Sequence, residues 1–266
     1  MSLLEVNNLT ISFGNKKVVD SISFTLEKGS RIGLIGESGS GKSMTSLAIM
    51  GLLPDTATVS GSILFEGQEL IGLSDRDHSR LRGNRIGMVF QEPLTALNPL
   101  MRIGKQIAGP LMVHKGASLK EGLEKALQLC TMVGLPDPDR VLRAYPHQLS
   151  GGQRQRIGLA IALACDPALL IADEPTTALD VTVQREVLNL INTLVDEEGS
   201  SLIFVTHDLP VVSAMTENVA VMQLGKIVEN ASVASLFHEP AHEYSRRLIS
   251  AARLAEDAFS GKGGAL

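Results

Sequence analysis

The eight residues GESGSGKS, from Gly36 to Ser43, constrain the fold of this chain more than any other stretch. The apolar RIGLIG before them predicts a short strand, and KSMTSLAIMGLL after them predicts a helix that ends before Pro54. Glycines at such a turn let backbone N–H groups converge on phosphate oxygens, and the helix N-terminus adds its dipole. The spacing G-x-x-x-x-G-K-[ST] therefore predicts a phosphate-binding loop rather than an accidental Gly-rich turn. Residues 36–43 are called the phosphate loop below.

Two side chains at the end of the phosphate loop predict what it binds. Lys42 is placed to reach the β- and γ-phosphates of a nucleotide, and the Ser43 hydroxyl is placed to bind Mg²⁺. We therefore expect ATP and Mg²⁺ as ligands.

The pattern along the chain predicts an α/β fold. Strand-like and helix-like stretches alternate, which is typical of a mostly parallel sheet covered on both faces. The pattern changes to mostly helical over residues 92–156, which we interpret as an inserted subdomain. The Gly-rich AEDAFSGKGGAL at the end predicts a frayed terminus or a linker.

Composition excludes several classes of protein. The net charge of −5 argues against a nucleic-acid binder. No uncharged apolar stretch reaches the ~18–20 residues that span a bilayer. Residues 1–8 lack the basic start and apolar run of a signal peptide, so we expect a cytoplasmic protein.

Cys130 and Cys165 lie in apolar helical patterns and are predicted to be small buried hydrophobic residues rather than metal ligands.

A second apolar stretch, ALLIADEP, ends in two acids, Asp173 and Glu174. A carboxylate at the end of a buried strand is costly unless it meets a cation, so Asp173 is predicted to be a partner of Mg²⁺. Glu174 is the candidate general base for an attacking water. A solvated acidic turn would give the same residues, but the phosphate loop elsewhere in the chain favours the catalytic interpretation.

Two more polar residues end predicted strands, Gln91 in RIGMVFQ and His207 in SLIFVTHD. Ligands of open α/β sheets bind at the carboxyl ends of the strands, so both are expected near the phosphate loop. Gln91 can bridge Mg²⁺ and water through its side-chain oxygen, and His207 can hydrogen-bond the γ-phosphate and hold the water in line. A lone His at a strand end is more often structural, so this role depends on the neighbouring residues.

Together these residues resemble the nucleotide-binding subunit of ATP-binding-cassette (ABC) transporters, over roughly residues 3–240. The family's further motifs are present in its order: an LSGGQ signature at Leu149–Gln153 and an ALD loop at Ala178–Asp180. The pairing of LSGGQ with DEP is highly specific. The resemblance implies a P-loop NTPase core with a mostly parallel sheet, an N-terminal antiparallel β-subdomain and an inserted helical subdomain.

The resemblance also implies domain boundaries. Residues 1–91 and 157–240 would form the ATP-binding core with its β-subdomain, residues 92–156 the helical signature subdomain, and residues 241–266 a C-terminal extension.

Residue roles carry over position by position. The catalytic residues implied are Glu174, His207 and Gln91, and the metal ligands are Ser43, Gln91 and Asp173. Phe13 stands where the family stacks an aromatic ring on adenine, although a strand residue of the core would look the same. The implied nucleotide contacts are Phe13, Gly36, Ser38, Gly39, Ser40, Gly41, Lys42, Ser43, Met44, Gln91, Asp173, Ser150, Gly151, Gly152, Gln153 and Asp180.

The segment YPHQLSGGQRQR resembles a second phosphate cradle at a helix start. In the family two cassettes pack head to tail, and the signature of one covers the ATP on the phosphate loop of the other. The resemblance therefore implies that Ser150, Gly151 and Gly152 contact a partner's γ-phosphate. The same serine is also a normal helix N-cap, and capping is how such a site is built.

Several segments match the peptide and nickel importer branch, among them MVFQEPLTALNPLMRIGKQI and GKIVENASVASLFHEPAHEYSRRLI. The branch implies a peripheral protein at the cytoplasmic face of the membrane. Its partners would be a second cassette, identical or paralogous, two integral membrane permease subunits and, indirectly, an extracytoplasmic solute-binding protein, with no nucleic acid. Residues after Gln91 would touch a permease. Many members carry a C-terminal cysteine cluster, but here no cysteine follows Cys165, so no iron–sulfur cluster is expected.

Peptide is the first expectation for the cargo and nickel or a metal chelate the second, and the chain could be half of a fused two-cassette protein. Two other functions are alternatives: a soluble ABC-type ATPase of translation or DNA repair, and an exporter cassette. The acidic charge and the lack of long insertions disfavour the first, and the importer-type C-terminal sequence disfavours the second.

Overall fold

A computed structural model describes residues 1–91, 97–177 and 180–259, with only the backbone described at 198 and 255–259. The described chain forms two compact units. The first contains residues 1–27, 31–72 and 203 onward, and the second contains residues 28–30 and 73–202. The predicted division into core, helical subdomain and C-terminal extension is a different one and remains a prediction.

Strands and helices alternate along much of the chain. The strands are β1 (Ser2–Phe13), β2 (Lys16–Glu27), β3 (Arg31–Ile35), β4 (Ala57–Phe65), β5 (Gln68–Glu69), β6 (Ile86–Val89), β7 (Leu169–Asp173), β8 (Ser201–Thr206), β9 (Asn218–Gln223) and β10 (Lys226–Ser232). The helices are α1 (Lys42–Ile49), α2 (Asp75–Leu81), α3 (Ile103–His114), α4 (Leu119–Met132), α5 (Pro138–Arg143), α6 (Gly151–Leu163), α7 (Val181–Glu198), α8 (Leu209–Met215), α9 (Val233–His238) and α10 (Glu243–Phe259).

An antiparallel sheet in the order β2-β1-β4-β5 occupies part of the first unit. The central strand β1 pairs Val6 with Phe24 on β2 and with Ile63 on β4. Leu4, Val6, Leu9 and Ile11 of β1 are buried, so its apolar side chains form the core. This confirms the predicted antiparallel β-subdomain at the N-terminus.

The first unit also contains strands in the order β10-β9-β3-β8, where β3 and β9 are parallel and β9 and β10 antiparallel. Ile35, the last residue of β3, pairs with Val221 and belongs to a buried cluster with Val219, Leu236, Tyr244 and others. The phosphate loop therefore begins directly after a strand fixed in the core.

In the second unit β6 and β7 are parallel, pairing Val89 with Ala172. Helix α6 packs so closely on β6 that a side chain at Gly87 would overlap the carbonyl oxygen of Ala162. A Cβ at Gly122 of α4 would lie 2.9 Å from the Cβ of Ala108 on α3, so these helices also approach closely. The parallel pairs β3–β9 and β6–β7 confirm the predicted α/β class.

The local secondary structure differs from the predictions in several places. DRVLRAYPHQL was predicted to be helical, but α5 stops at Arg143 and Pro146–Gln148 is a 3₁₀ turn, since the residue before Pro146 is held extended. Helices α2 and α9 were not predicted, although Ser74 and Ser232 cap them. The backbone of α10 continues to Phe259, so AEDAF is helical rather than frayed. SGKGGAL lies outside the described residues.

No helix in the described part of the chain combines the length and apolar character needed to cross a membrane.

Both cysteines are free and buried, as predicted. Burial raises the pKa of the Cys130 thiol from 9.0 to about 12 and also raises that of Cys165. Because the thiolate is the reactive form, alkylation by iodoacetamide at pH 8 is expected to be negligible in the folded chain and to reach two thiols in denaturant. Mass spectrometry of the labelled chain measures this, and rapid labelling of the native state would contradict it.

Candidate functional site

The phosphate loop joins β3 to α1 in the first unit. Lys42 is 4% exposed, and its Nζ donates to the carbonyl oxygens of Gly36 at 2.7 Å and Glu37 at 3.0 Å. Gly39 and Gly41 have φ of +80° and +105°, a region in which glycine is favoured. The curved backbone and the buried ammonium give the loop the form of an anion cradle.

The loop fits phosphate by a second observation. Ser40 is buried, and its Oγ lacks a hydrogen-bond partner within the described residues. A buried hydroxyl without a partner costs free energy, and a phosphate oxygen would satisfy it. Ser43, also in the loop, has a hydroxyl oxygen, a hard ligand of the kind that could hold magnesium.

Gly36 is expected to tolerate no side chain. Its φ is +152°, and a Cβ would overlap the Met222 carbonyl oxygen, a backbone atom. Gly36→Ala is therefore expected to destabilise the fold by about 1–3 kcal/mol and to weaken nucleotide binding. Gly67→Ala is the matched control, since Gly67 has φ of +80° with nothing within 4 Å. Thermal unfolding with and without ATP measures both, and equal behaviour of the two variants would contradict the prediction.

In the second unit, Gln91 and Glu174 meet, as their places at strand ends suggested. The Gln91 Nε2 donates to the Glu174 Oε2 at 2.9 Å, although the residues are 83 positions apart. The Thr177 hydroxyl donates to the same oxygen at 2.9 Å. Glu174 has φ of +44°, unusual for a residue with a side chain. The carboxylate is thus held in one orientation by two donors.

Thr177 was missed by the sequence reasoning. Its hydroxyl and its backbone N–H, which donates to the Glu174 carbonyl oxygen at 3.2 Å, form a short turn after the acid. The available signal was a hydroxyl residue three positions after the candidate base Glu174, the spacing at which a turn brings side chain and backbone together.

Asp173 is the last residue of β7 and is 5% exposed. A carboxylate this deeply buried requires a cation or several donors, and its oxygens are suitable ligands for magnesium.

The signature segment, residues 149–153, starts helix α6. The Ser150 Oγ accepts from the Gln153 N–H at 3.3 Å, and the Gln153 Oε1 accepts from the Ser150 N–H at 3.0 Å. This capping box fixes the first turn, where helix N–H groups have no partner within the helix. The helix start has the N–H groups that can bind an anion, and its role as a second cradle remains a prediction.

The signature helix lies close to the start of α7. A Cβ at Gly152 would be 2.9 Å from the Val183 Cγ1, so glycine permits this approach. Asp180 caps α7, and its Oδ1 accepts from the N–H groups of Thr182 at 3.1 Å and Val183 at 3.0 Å. Val183 therefore links Asp180 to the signature segment. Ala178 and Leu179 of the ALD loop lie outside the described residues, as do residues 92–96 of the predicted permease contact.

The remaining predicted residues lie in the first unit. Phe13 is half-buried at the end of β1, paired with Lys16 and Ala57. His207 is exposed, between the end of β8 and Asp208, which caps α8. Ser38 is exposed in the phosphate loop and Met44 lies in the first turn of α1.

Comparison with known proteins gives the family of the chain. The ABC transporter family model matches residues 19–177. The chain is 48% identical to the oligopeptide transport ATP-binding protein AppD of Bacillus subtilis, over 94% of this chain and 78% of AppD. It is 47% identical to the dipeptide transport ATP-binding protein DppD of Lactococcus lactis, over 93% of this chain and 72% of DppD. It is 45% identical to OppD of Salmonella typhimurium, an oligopeptide transport ATP-binding protein, over 94% of this chain and 76% of OppD.

The fold is also found in a solved structure. The dimeric post-hydrolysis state of the ATP-binding cassette MJ0796, bound to ADP and Pi, superposes with a TM-score of 0.77 and 29% identity, covering 86% of this chain and 98% of MJ0796. The predicted cassette fold is therefore confirmed. The family model matches more than half of the chain, and the three relatives are 45–48% identical to it. The chain therefore belongs to the ABC transporter family, as one of its ATPase cassettes.

Proposed function

We propose that this cassette hydrolyses ATP to drive the import of peptides through a membrane permease. The observation that carries the proposal is the 45–48% identity to three peptide transport proteins over 93–94% of the chain. Those relatives favour peptide over nickel as the cargo class. They also favour the transporter role over a soluble ATPase of translation or repair.

In the proposed cycle the phosphate loop binds the nucleotide phosphates through its backbone N–H groups and Lys42, and Phe13 stacks on the base. The proposed magnesium ligands are Ser43, Gln91 and Asp173, on the strength of their oxygen chemistry. ATP supplies a γ-phosphoryl group whose transfer to water releases free energy. Glu174 takes a proton from that water through a carboxylate that Gln91 and Thr177 hold in place. His207 steadies the γ-phosphate.

We propose that two cassettes close head to tail on two ATP molecules. Support comes from the dimeric MJ0796 cassette and from the capping box of the signature segment, which presents Ser150, Gly151 and Gly152 at a helix start. Closing on ATP and opening after hydrolysis would give the two states that drive a permease at the membrane.

A deletion strain tests the cargo. It should fail to grow when a required amino acid is supplied only as a di- or oligopeptide, and it should grow normally on the free amino acid and under nickel limitation. The chain should also co-purify with two integral membrane proteins. Loss of growth under nickel limitation alone, or recovery with ribosomes or DNA, would contradict the proposal.

A further inference from the structure

The segment that follows β10 reaches back to the phosphate loop. The hydroxyl of Tyr244, in the first turn of α10, accepts a hydrogen bond from the Glu37 N–H at 2.9 Å, across 207 positions of sequence. Glu37 is the second residue of the phosphate loop. Tyr244 lies in residues 241–266, which were predicted to form a C-terminal extension outside the ATP-binding core.

The tyrosine is fixed by packing. It is 3% exposed and lies in the same apolar cluster as Ile35, the residue immediately before the loop, and Val221, the strand partner of Ile35. A ring held in this cluster leaves its hydroxyl little freedom, because buried side chains are closely packed and occupy single rotamers.

The turn before α10 is also held by hydrogen bonds. The two carboxylate oxygens of Glu229 on β10 accept from the N–H groups of Ala241 and His242, each at 2.9 Å. The His242 Nδ1 accepts from the Tyr244 N–H at 3.2 Å. These bonds set the start of α10, and with it the place of the Tyr244 ring.

The bond to Tyr244 orients a peptide group that the loop uses. The Glu37 N–H belongs to the Gly36–Glu37 peptide group, whose carbonyl oxygen accepts from Lys42 Nζ at 2.7 Å. In the next peptide group, the Glu37 carbonyl oxygen accepts from Lys42 Nζ at 3.0 Å and from the Ser40 N–H at 3.2 Å. Glu37 is therefore held at its N–H by the tyrosine and at its carbonyl by the loop. The N–H is thus bonded to a protein hydroxyl, and the two carbonyl oxygens beside it are bonded to Lys42 and Ser40 of the loop.

We propose that Tyr244 is a positioning residue for the phosphate loop, holding the Gly36–Glu37 peptide group so that the loop is preset for the nucleotide phosphates. The inference rests on the proposed ATP-binding function. Without the hydroxyl the loop samples other orientations. The apparent affinity for ATP then falls in proportion to the fraction of molecules whose loop is still competent to bind.

Tyr244→Phe keeps the ring and removes the hydroxyl. The dissociation constant of a fluorescent ATP analogue with the full chain is expected to rise about fivefold, the factor that one hydrogen bond supplies. The KM for ATP should rise similarly with little change in kcat, since saturating ATP restores the loop. Ile249→Val is the control: Ile249 is in the same cluster, so this change perturbs the packing but leaves the hydroxyl. It should leave affinity within about twofold of the wild type.

A second measurement does not depend on the variant folding. The chain has two tyrosines, so 3-fluorotyrosine labelling gives two ¹⁹F resonances, and Tyr145→Phe identifies that of Tyr244. Addition of ATP should shift the Tyr244 resonance. An unshifted resonance, unchanged affinity in Tyr244→Phe, or equal weakening by Ile249→Val would overturn the inference while wild-type binding stands. A wild-type chain that does not bind ATP would overturn the proposed function and this inference together.

Discussion

Replacing Glu174 by Gln is expected to lower the ATP turnover rate about 10²- to 10⁴-fold, the contribution that a general base makes. The Glu174 Oε2 accepts from Gln91 and Thr177. A glutamine carbonyl oxygen can occupy that position and keep both bonds, so the fold and ATP binding should be retained. Only the basicity is lost. With hydrolysis blocked, the cassette should accumulate as an ATP-bound dimer.

Steady-state phosphate release and gel filtration with ATP and Mg²⁺ measure both effects. Glu197→Gln, a change of the same charge at an exposed position of α7, is the control and should behave as the wild type. An ATPase rate near the wild-type value in Glu174→Gln would remove Glu174 from the role of base.

Replacing Ser150 by Arg is expected to abolish ATP-dependent dimerisation and the activity that depends on it, while a single chain still binds nucleotide. Ser150 is exposed and begins the signature helix, so a long cation there would obstruct the surface proposed to meet a partner's ATP. Loss of the N-cap costs about 1 kcal/mol, too little to unfold the chain.

The control for this variant is Ser118, which lies in the same unit as Ser150. Ser118 caps α4 with the same type of capping box, through Glu121, and is also exposed. Ser118→Arg should lose a similar amount of stability and still dimerise in the presence of ATP, in a background that carries Glu174→Gln. Dimers of Ser150→Arg in that background, or loss of dimers in Ser118→Arg, would argue against a specific role of the signature.

Features defined by neighbouring residues were predictable. The glycine spacing of the phosphate loop, the apolar strand β7 that ends at Asp173, and the cap at Ser150 each depend on a few consecutive residues. The antiparallel sheet was implied by the family resemblance, and β1 and β2 pair accordingly. Local hydrogen bonds and side-chain periodicity carry this information, so the sequence alone determined the class of fold and the motifs of the site.

The contacts that join distant residues depended on packing. Gln91 meets Glu174 across 83 positions, and Tyr244 meets Glu37 across 207. The position of both residues at strand ends suggested one edge for Gln91 and Glu174, but no local pattern specifies which hydrogen bonds form there or which ring enters which cluster. Those distances follow from how whole strands and helices pack. The sequence by itself determined that this chain has a phosphate loop, an acidic pair and a signature segment. Only the tertiary structure decided that Glu174 is held by Gln91 and Thr177, and that the phosphate loop is held by a tyrosine of the C-terminal segment.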